Sequence, residues 1–574
     1  MQLTGFLFPP KLSPMFAWTP PFLQRHPWIL RLLFTLVLCI PLAFLAFFFF
    51  YPLINIFSLS LTYEAVAAFF ARAYFRKIIW FTTWQAALST LLTLAAGLPA
   101  AYLFAHYTFP GRGLLKALTT VPFVMPTVVV AAAFRALLGA NGLLNQSLMA
   151  LFDWQQAPIA VEQSLTMILL AHVFYNVAVV VRLVGGFWAN LNPQLVEAAR
   201  VMGASRRQAF WEVTLPLLKP ALISASLLIF LFTFTSFGVI LILGGPQFST
   251  IETEIYRQYV TFLRADIAAV LSLLQIFFTF VLMFVYGRWQ QQSAVSLDFR
   301  PQQSNLRKPE SRREKTAVFL LILGLSFFIL APLLALVWRS LVDRDGHLTF
   351  NYYRALTELR RGSVIYVPPL TAVRNSLGYA FLTVALAGFL GILTTTLLVR
   401  PSRWRAWLDP LFMLPLGVSA VTLGFGYVVT YDKLRTSPLL VLIAHTLVAF
   451  PFVVRSLLPV LQGIKPDLRE AAAVMGASPL RVWREVDLPI MGRALLVAAV
   501  FAFTVSMGEF GATSFIVRPN SGFLTLPIAI ERYLGQPGAL NFGQAMALST
   551  ILMLVCALGF VAIERFRYAD IGEF

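Results

Sequence analysis

The segment Glu197-Ala-Ala-Arg-Val-Met-Gly-Ala-Ser205 recurs in the second half of the chain as Glu470-Ala-Ala-Ala-Val-Met-Gly-Ala-Ser478. Both copies are polar islands in a strongly apolar chain. The same spacing relates further pairs on either side of the islands: Pro193 and Pro466, Glu212 and Glu485, Leu215-Pro216 and Leu488-Pro489, His172 and His445, and Arg182 and Arg455. A register kept without gaps over about 45 residues indicates an internal duplication, so one chain carries two copies of one unit.

The composition places the chain among membrane proteins. Of its 574 residues 59% are hydrophobic and only 12% are charged, whereas soluble domains carry roughly 25% charged residues. The two cysteines, Cys39 and Cys556, lie far apart inside apolar runs, so neither a disulfide framework nor a metal cluster is indicated.

Each half contains six apolar stretches near the roughly 20 residues that a helix needs to cross the hydrocarbon core. They lie near residues 28–56, 78–106, 115–138, 164–190, 220–243 and 266–287, and near 317–340, 373–399, 409–430, 439–461, 491–516 and 541–563. Such continuous runs do not fit the alternating pattern of a membrane β-barrel. The sequence therefore predicts an all-α, polytopic membrane protein with twelve transmembrane helices in two pseudo-symmetric six-helix halves. The predicted boundaries are 1–287 for the first half, 288–316 for a cytoplasmic linker and 317–574 for the second half.

The distribution of basic residues predicts the orientation. Lys and Arg precede the first span, follow the even-numbered spans and flank both islands, at Arg25, Arg31, Arg112, Lys116, Arg200, Arg206, Arg207, Lys219, Arg288, Arg400, Arg403, Arg405, Arg469, Arg481, Arg565 and Arg567. The positive-inside rule makes these positions and both termini cytoplasmic. The opposite loop at 139–163 has no Lys or Arg, although the outward loop at 341–374 does contain arginines. The formal charge of +19 is scattered between apolar spans and not clustered on one domain, which argues against a nucleic-acid partner. For the basic cluster of the linker, attraction to anionic lipid head groups is the preferred interpretation and nucleic-acid binding the alternative.

The two islands, 192–216 and 465–489, each predict a helix, a turn and a second helix on the cytoplasmic face. Asn192-Pro193 suits a helix start, Gly203 and Gly476 suit a left-handed turn, and Leu-Pro is expected to end the second piece. The second pieces carry large apolar and basic residues, including Phe210, Trp211, Trp483 and Arg484. This mixture favours docking into a groove on another protein, or else an amphipathic loop resting on lipid. Because the surface is duplicated, it favours two related partners, or one partner used twice.

Each island resembles the signature cytoplasmic loop of membrane subunits of bacterial binding-protein-dependent ABC importers. The resemblance is carried by Glu-Ala-Ala, a glycine after three further residues and a later Leu-Pro, and it implies the type I permease fold. The resemblance implies coupling helices that sit in clefts of two copies of a cytoplasmic ATPase, which would bind the ATP and Mg. It also implies an extracytoplasmic substrate-binding protein and a multi-pass location in the bacterial inner membrane. The expected ATPase-coupling residues are Glu197, Ala198, Gly203, Phe210, Trp211, Glu470, Ala471, Gly476, Trp483 and Arg484.

Two copies in one polypeptide are similar to the fused permeases of thiamine and ferric-iron importers. Leu170-Ala-His-Val-Phe-Tyr-Asn-Val177 and the run 234–246 are closer to the thiamine permease, whereas Gly508-Glu-Phe-Gly-Ala-Thr513 also resembles oxyanion and iron permeases. The resemblance therefore implies thiamine as substrate, with ferric iron as the alternative.

The sequence contains no G-x-x-x-x-G-K-[ST], no H-E-x-x-H and no G-x-S-x-G. We therefore expect a chain that is not an enzyme and holds no cofactor, with ATP hydrolysis on separate subunits. The rival interpretation is a secondary transporter, because duplicated halves are common in that class. A secondary transporter needs no large cytoplasmic partner, so the repeated cytoplasmic loop disfavours this interpretation.

Polar residues within the spans are the candidates for the transport pathway because burying them in hydrocarbon is costly. Glu509 is the sharpest, with Ser506 beside it and Ser236 as its counterpart in the first copy. A carboxylate in one copy suits a cationic substrate; alternatively, Glu509 is hydrogen-bonded to a neighbouring helix and never touches substrate. We interpret His172 and His445 as structural. Breaks or close helix approaches are expected at Pro122, Pro126, Pro415, Gly417, Gly424 and Gly426.

Overall fold

A computed structural model describes residues 36–568, except 38, 61–65, 68, 70, 293–305, 344–345, 400–404, 436 and 519–520. Outside the described residues lie the start of the predicted first span, residues 293–305 of the predicted linker, and Arg25, Arg31, Arg400 and Arg403. So do the last residues of the chain, from 569 onward.

The described residues are predominantly helical, as predicted, and contain no β-sheet. Within the part of the chain that the structure describes, eleven helices are long and apolar enough to cross a membrane: α1 (Cys39–Ser60), α2 (Ala73–His106), α4 (Thr127–Phe152), α5 (Leu165–Ala189), α7 (Arg206–Phe234), α9 (Ala265–Gln290), α10 (Arg312–Leu341), α11 (Leu370–Val399), α14 (Pro438–Gly463), α16 (Trp483–Gly508) and α18 (Ala539–Ala562). The bent pair α12 (Trp407–Gly417) and α13 (Ala420–Thr430) makes a twelfth if it is counted as one span. The remaining labelled helices are α3 (Arg112–Val124), α6 (Pro193–Val201), α8 (Ile251–Tyr256), α15 (Pro466–Val474) and α17 (Leu526–Leu534).

The third and ninth spans are broken, which corrects their predicted continuous courses at 115–138 and 409–430. The third is interrupted at Met125 and Pro126, between α3 and α4. Within α4 the helix is interrupted again at 139–142, so that its last part, Leu143–Phe152, belongs to the connection before α5. The ninth bends by 92° between α12 and α13. Proline lacks an N–H and disfavours a helical conformation in the residue before it, which accounts for the break at Pro126.

The fifth and eleventh spans also differ from their predicted limits of 220–243 and 491–516. Helices α7 and α16 begin earlier and end earlier, at Phe234 and Gly508. Short helices follow each break, at Gly238–Leu243 and Thr513–Ile516. The sequence predicts Glu509 within the helix of the eleventh span. In the structure this helix ends at Gly508, so Glu509 lies in the helix break.

The helices form two compact units that do not coincide with the two sequence halves. The first-copy unit comprises the described residues of 57–373 and 518–557, and the second-copy unit those of 36–56, 374–517 and 558–568. Helix α10, from the second half of the sequence, packs in the first-copy unit, where Phe328 lies 5.9 Å from Phe174 between ring centroids. Helix α1 packs in the second-copy unit, where the Tyr431 hydroxyl donates to the Phe47 carbonyl.

Each unit contains the same close helix crossing. A Cβ on Gly97 of α2 would lie 2.6 Å from Val180 Cβ of α5, and a Cβ on Gly391 of α11 would lie 2.5 Å from Val453 Cγ1 of α14. The two valines keep the spacing of the islands, whereas the two glycines are further apart along the chain. Their spacing is larger because the first copy has a longer connection, at 139–164, than the second has at 431–437. Glycine at these positions lets the helix backbones approach closely.

The predicted roles of the glycines in the ninth span are also confirmed. A Cβ on Gly424 would lie 2.6 Å from Ala512 Cα, and one on Gly426 would lie 3.1 Å from Pro52 Cβ. Gly417 ends the short 3-10 turn that precedes the bend.

Candidate coupling and pathway sites

The first island folds into the predicted helix and turn. Asn192 caps α6, since its side-chain oxygen accepts a hydrogen bond from the backbone N–H of Gln194 at 3.1 Å, and Pro193 occupies the first turn. Gly203 follows α6 with φ +95°, a left-handed conformation that glycine adopts at little cost. Ser205 then starts the next helix with a capping box closed by Gln208.

The second island has the same backbone course with different side-chain support. Helix α15 ends before Gly476, whose φ is +83°. Lys465 stands at its N-cap and provides no side-chain cap. Instead, Arg469 donates to the Asp487 carboxylate at 2.8 Å and ties the first helix to the second piece.

The second piece does not end at Leu-Pro, contrary to the sequence prediction. In both copies the helix widens into one π-helical turn, at Phe210–Thr214 and Trp483–Asp487, and then continues as a membrane span. Pro216 and Pro489 immediately follow these turns, in the first positions of the continuing helices. A π turn shifts the hydrogen-bonding pattern by one residue, which accommodates a proline without ending the helix. Each island, 192–216 or 465–489, called a coupling element below after its predicted role, is therefore continuous with the span behind it.

The predicted coupling residues lie on the exposed surface of each element. Glu197, Ala198, Glu470 and Ala471 are exposed, and helix α6 buries none of its residues. Trp211 and Arg484 are also exposed. Phe210 and Trp483 are each 37% exposed, and the Phe210 ring lies 6.4 Å from the Trp188 ring at the end of α5. Phe210 thus also anchors the element to the helix before it.

The most exposed apolar side chains of the islands are ones that the sequence interpretation did not single out. Val201 and Met202 are 88% and 89% exposed, and their counterparts Val474 and Met475 are 88% and 87% exposed. They stand at the tip between the first helix and the glycine turn. The Val-Met pair is identical in the two copies of the repeated segment, and this identity is the sequence feature that could have identified these residues.

Other contacts place the first coupling element at a definite end of the first-copy unit. At the end of α2, the His106 ring lies 5.3 Å from Trp188. The chain returns to this end before α10, since Arg307 N–H donates to the His106 carbonyl at 3.0 Å. Arg307 also forms a 2.7 Å ion pair with Glu314, and this carboxylate raises the pKa of the guanidinium. Helix α10 therefore starts at the end of the unit that carries the coupling element.

His172 joins three segments of the first-copy unit. Its Nδ1 lies 3.0 Å from Ser89 Oγ on α2, and its Nε2 lies 2.9 Å from Ser236 Oγ in the break after α7. The ring is almost fully buried. The predicted pathway residue Ser236 is thus held by a histidine for which the sequence predicted a structural role.

His445 occupies the equivalent place in the second-copy unit. Its Nδ1 lies 2.8 Å from Ser506 Oγ, and Ser506 donates to Thr383 Oγ1 at 3.3 Å. Its Nε2 lies 3.0 Å from Thr513 Oγ1 and 3.4 Å from Glu509 Oε2. The structure therefore brings Glu509 and Ser506, two of the three predicted pathway residues, to one histidine.

Glu509 is buried with both carboxylate oxygens engaged. Oε1 accepts from the Ala512 N–H at 2.7 Å, and Oε2 accepts from the Thr513 N–H at 3.0 Å and from the Thr513 hydroxyl. The carboxylate thereby caps the short helix after the break while it faces His445. These contacts fit the structural alternative stated above, whereas contact between Glu509 and substrate stays a prediction.

Two buried carboxylates escaped the sequence interpretation because they lie outside the predicted spans. Glu252 and Glu254 stand on α8 of the first-copy unit and are fully buried. Glu254 accepts from Tyr74 at 3.0 Å and from Gln258 at 2.6 Å. In the same unit, burial raises the pKa of Tyr256 to about 12, with a further contribution from Glu531 of α17. Burial likewise raises the pKa of the Glu531 carboxyl.

Comparison with known proteins gives one family and a consistent set of relatives. The profile of the family described as "Binding-protein-dependent transport system inner membrane component" matches residues 94–294 and 387–567. The thiamine transport system permease protein ThiP of Escherichia coli (strain K12) is 28% identical over 505 residues, covering 86% of this chain and 89% of the relative. ThiP of Brucella abortus (strain 2308) is 26% identical, covering 88% and 91%. A probable ABC transporter permease protein, y4fN of Sinorhizobium fredii, is 27% identical, covering 82% and 84%.

Among solved structures, a bacterial ABC transporter that imports the acidic polysaccharide alginate is 19% identical, with a TM-score of 0.38. The match covers 47% of this chain and 96% of the alginate transporter chain.

Proposed function

Because this chain belongs to the family of binding-protein-dependent transport system inner membrane components, as a fused permease subunit of a bacterial ABC importer, we propose that it moves thiamine into the cytoplasm. The proposal is supported mainly by the sequence similarity of this chain to ThiP proteins from two genera, which align with 88% and 86% of its length. The family profile matches two segments of this chain, and the alignments cover about nine tenths of each ThiP relative. The chain therefore has both repeated membrane units of such a permease.

The proposed energy source is ATP hydrolysis by two copies of a cytoplasmic ATPase subunit. The support is the pair of exposed elements around Glu197 and Glu470, which carry the same exposed Val-Met pair at their tips. Exposed apolar side chains beside charged ones form typical docking surfaces. Because each element continues without interruption into α7 or α16, a displacement at the ATPase would be passed directly to a membrane span. The termini would then be cytoplasmic.

The proposed role of Glu509, Ser236 and Ser506 is to hold the helix breaks along the transport pathway. Their polar atoms are engaged with His172 or His445 and with the backbone of the break. Each break therefore has a fixed geometry in this state. Alternating access would exchange this state for another one by ATP-driven closure of the partner subunits.

The test of the substrate is the ligand of the cognate extracytoplasmic binding protein, followed by uptake. We expect the binding protein to bind thiamine, and cells that express the complete importer to accumulate radiolabelled thiamine in competition with unlabelled thiamine. Binding and uptake of ferric iron without thiamine would contradict the proposed substrate. Copurification with the ATPase would still support the permease role in that case.

A further inference from the structure

The described residues of the outward loop at 343–369, between α10 and α11, form a folded surface of the first-copy unit. Helix α10 starts at the end that carries the coupling element and runs for 30 residues, about 45 Å at 1.5 Å per residue. The loop therefore lies on the opposite face. Its start is fixed by a bridge between Val342 and Leu348 and by the Thr349 N–H, which donates to the Leu341 carbonyl at 2.7 Å.

The loop is anchored over the beginning of α18. The Tyr352 ring packs so closely on Gly543 that a Cβ there would lie 2.2 Å from it. Gln544 donates to the Ala355 carbonyl at 3.0 Å, and Arg360 donates to Asn541 Oδ1 at 3.1 Å. The following turn of α18, at 545–548, is fully buried. The loop thus covers a helix from the interior of the unit and not one at its lipid-facing edge.

The outer surface of the loop combines positive charge with exposed apolar side chains. Residues 360–363 form a tight turn, in which Gly362 has φ +76° and the Ser363 N–H donates to the Arg360 carbonyl. Arg360 and Arg361 are exposed at this turn, between Leu359 at 59% and Tyr366 at 65% exposure. The loop 343–369 contains four arginines and three acidic residues, and two of the arginines are adjacent in this turn. Arginines on this face run against the bias that keeps Lys and Arg on the cytoplasmic side.

We propose that this arginine turn, residues 359–366, docks an acidic rim of the extracytoplasmic substrate-binding protein. The inference rests on the proposed function, since it takes for granted that a binding protein delivers the substrate. Arginine and tyrosine are enriched in the energetically dominant part of protein interfaces. The anchoring over an interior helix favours a protein partner over lipid head groups. Charged rim residues chiefly accelerate association and make it salt-dependent.

The test is the double charge reversal Arg360→Glu/Arg361→Glu in the full complex with its ATPase, reconstituted in nanodiscs. The probe is the binding protein that stimulates ATP hydrolysis by the wild-type complex. The matched control is Arg76→Glu/Lys77→Glu, the same charge change on exposed residues at the other end of α2 from His106. Association rate, its dependence on salt and stimulated ATPase activity are measured in neutral and in anionic lipid.

We expect the reversal at the arginine turn to slow association at least about tenfold and to flatten its salt dependence in both lipids. ATPase copurification and basal hydrolysis should remain at the wild-type level, which excludes misfolding. Association like that of the wild type, or an equal loss in the Arg76/Lys77 control, would overturn the proposal. A loss confined to anionic lipid would assign the turn to lipid head groups instead. If no binding protein stimulates the wild-type complex, the proposed function itself fails.

Discussion

At the residue scale, the two copies differ in the residue that faces the equivalent histidine at the helix break. His172 and His445 occupy matching positions of the repeat, and both bridge to the helix break that follows the fifth span of their copy. The first break presents Ser236 at the position where the second presents Glu509. A serine offers one hydroxyl, whereas the carboxylate accepts two backbone N–H groups at once. The second break is therefore more strongly fixed.

This difference predicts that Glu509→Ala will destabilise the protein. The substitution leaves the Ala512 and Thr513 N–H groups buried without their acceptor, and each loss of this kind costs about 1–3 kcal/mol. Thermal unfolding of the detergent-solubilised chain should begin at a clearly lower temperature. The matched variant Ser236→Ala leaves one buried group, His172 Nε2, without its partner and should cost about 1–3 kcal/mol once, against two such losses in Glu509→Ala.

The result that would contradict the structural role of Glu509 is unchanged thermal stability together with a raised KM for thiamine uptake. That combination would indicate direct contact between the carboxylate and a cationic substrate.

The sequence reveals which polar residues lie among apolar spans, but it does not reveal their hydrogen-bond partners. Polar residues within apolar spans drew attention to Glu509, Ser236 and Ser506. The sequence could not reveal their partners, because Thr383 and Ser89 lie on helices far away along the chain. Glu254 was missed because its helix α8 is too short and too polar to resemble a span.

At the scale of single elements, the helix and turn of each island were predictable from local chemistry. Asn192-Pro193 and the glycine turns obey helix-capping rules that depend on adjacent residues only. The end of the second helix was predicted wrongly because proline is treated as a helix terminator. The π turns before Pro216 and Pro489 remove that conflict, and the local sequence does not reveal them.

The exposed tips predict how the coupling elements bind their partner. Replacing Val201, Met202, Val474 and Met475 together by serine should weaken binding of the ATPase at least tenfold. Burying one large apolar side chain contributes about 1.5–3 kcal/mol, so even one lost contact per tip reaches that factor. The affinity of purified ATPase for the wild-type chain and for the quadruple variant, each in nanodiscs, tests this prediction.

The control for the tips is Leu151→Ser, which changes another highly exposed apolar side chain, in the 139–163 connection. ATPase binding at the wild-type level in the quadruple variant would mean that the tips do not enter the interface.

The helix crossings predict a packing defect that a second change repairs. Gly97→Ala should destabilise the chain by about 1–3 kcal/mol because the new methyl group overlaps Val180. Adding Val180→Ala should recover part of this loss. Gly388→Ala on α11 serves as control, since nothing lies within 4 Å of a Cβ there. Thermal unfolding that is equal for Gly97→Ala and Gly388→Ala would show that the close approach is not tight.

At the scale of the whole molecule, composition and duplication were sufficient to predict a helical membrane protein with two repeated sets of spans. Twelve apolar stretches and two islands give that architecture without any knowledge of packing. The sequence could not assign each helix to a compact unit. Helix α1 packs in the second-copy unit and α10 in the first, because helix association in lipid depends on surface fit and not on order along the chain.

The central claim is that two copies of one cytoplasmic element couple this permease to ATP hydrolysis. The most direct measurement is thiamine uptake by proteoliposomes that contain the chain, its ATPase and its binding protein. ATP on the ATPase side should drive uptake, and Glu197→Ala/Glu470→Ala should abolish it while the protein remains folded. Uptake by the chain alone, driven by a proton gradient and unaffected by these substitutions, would contradict the account.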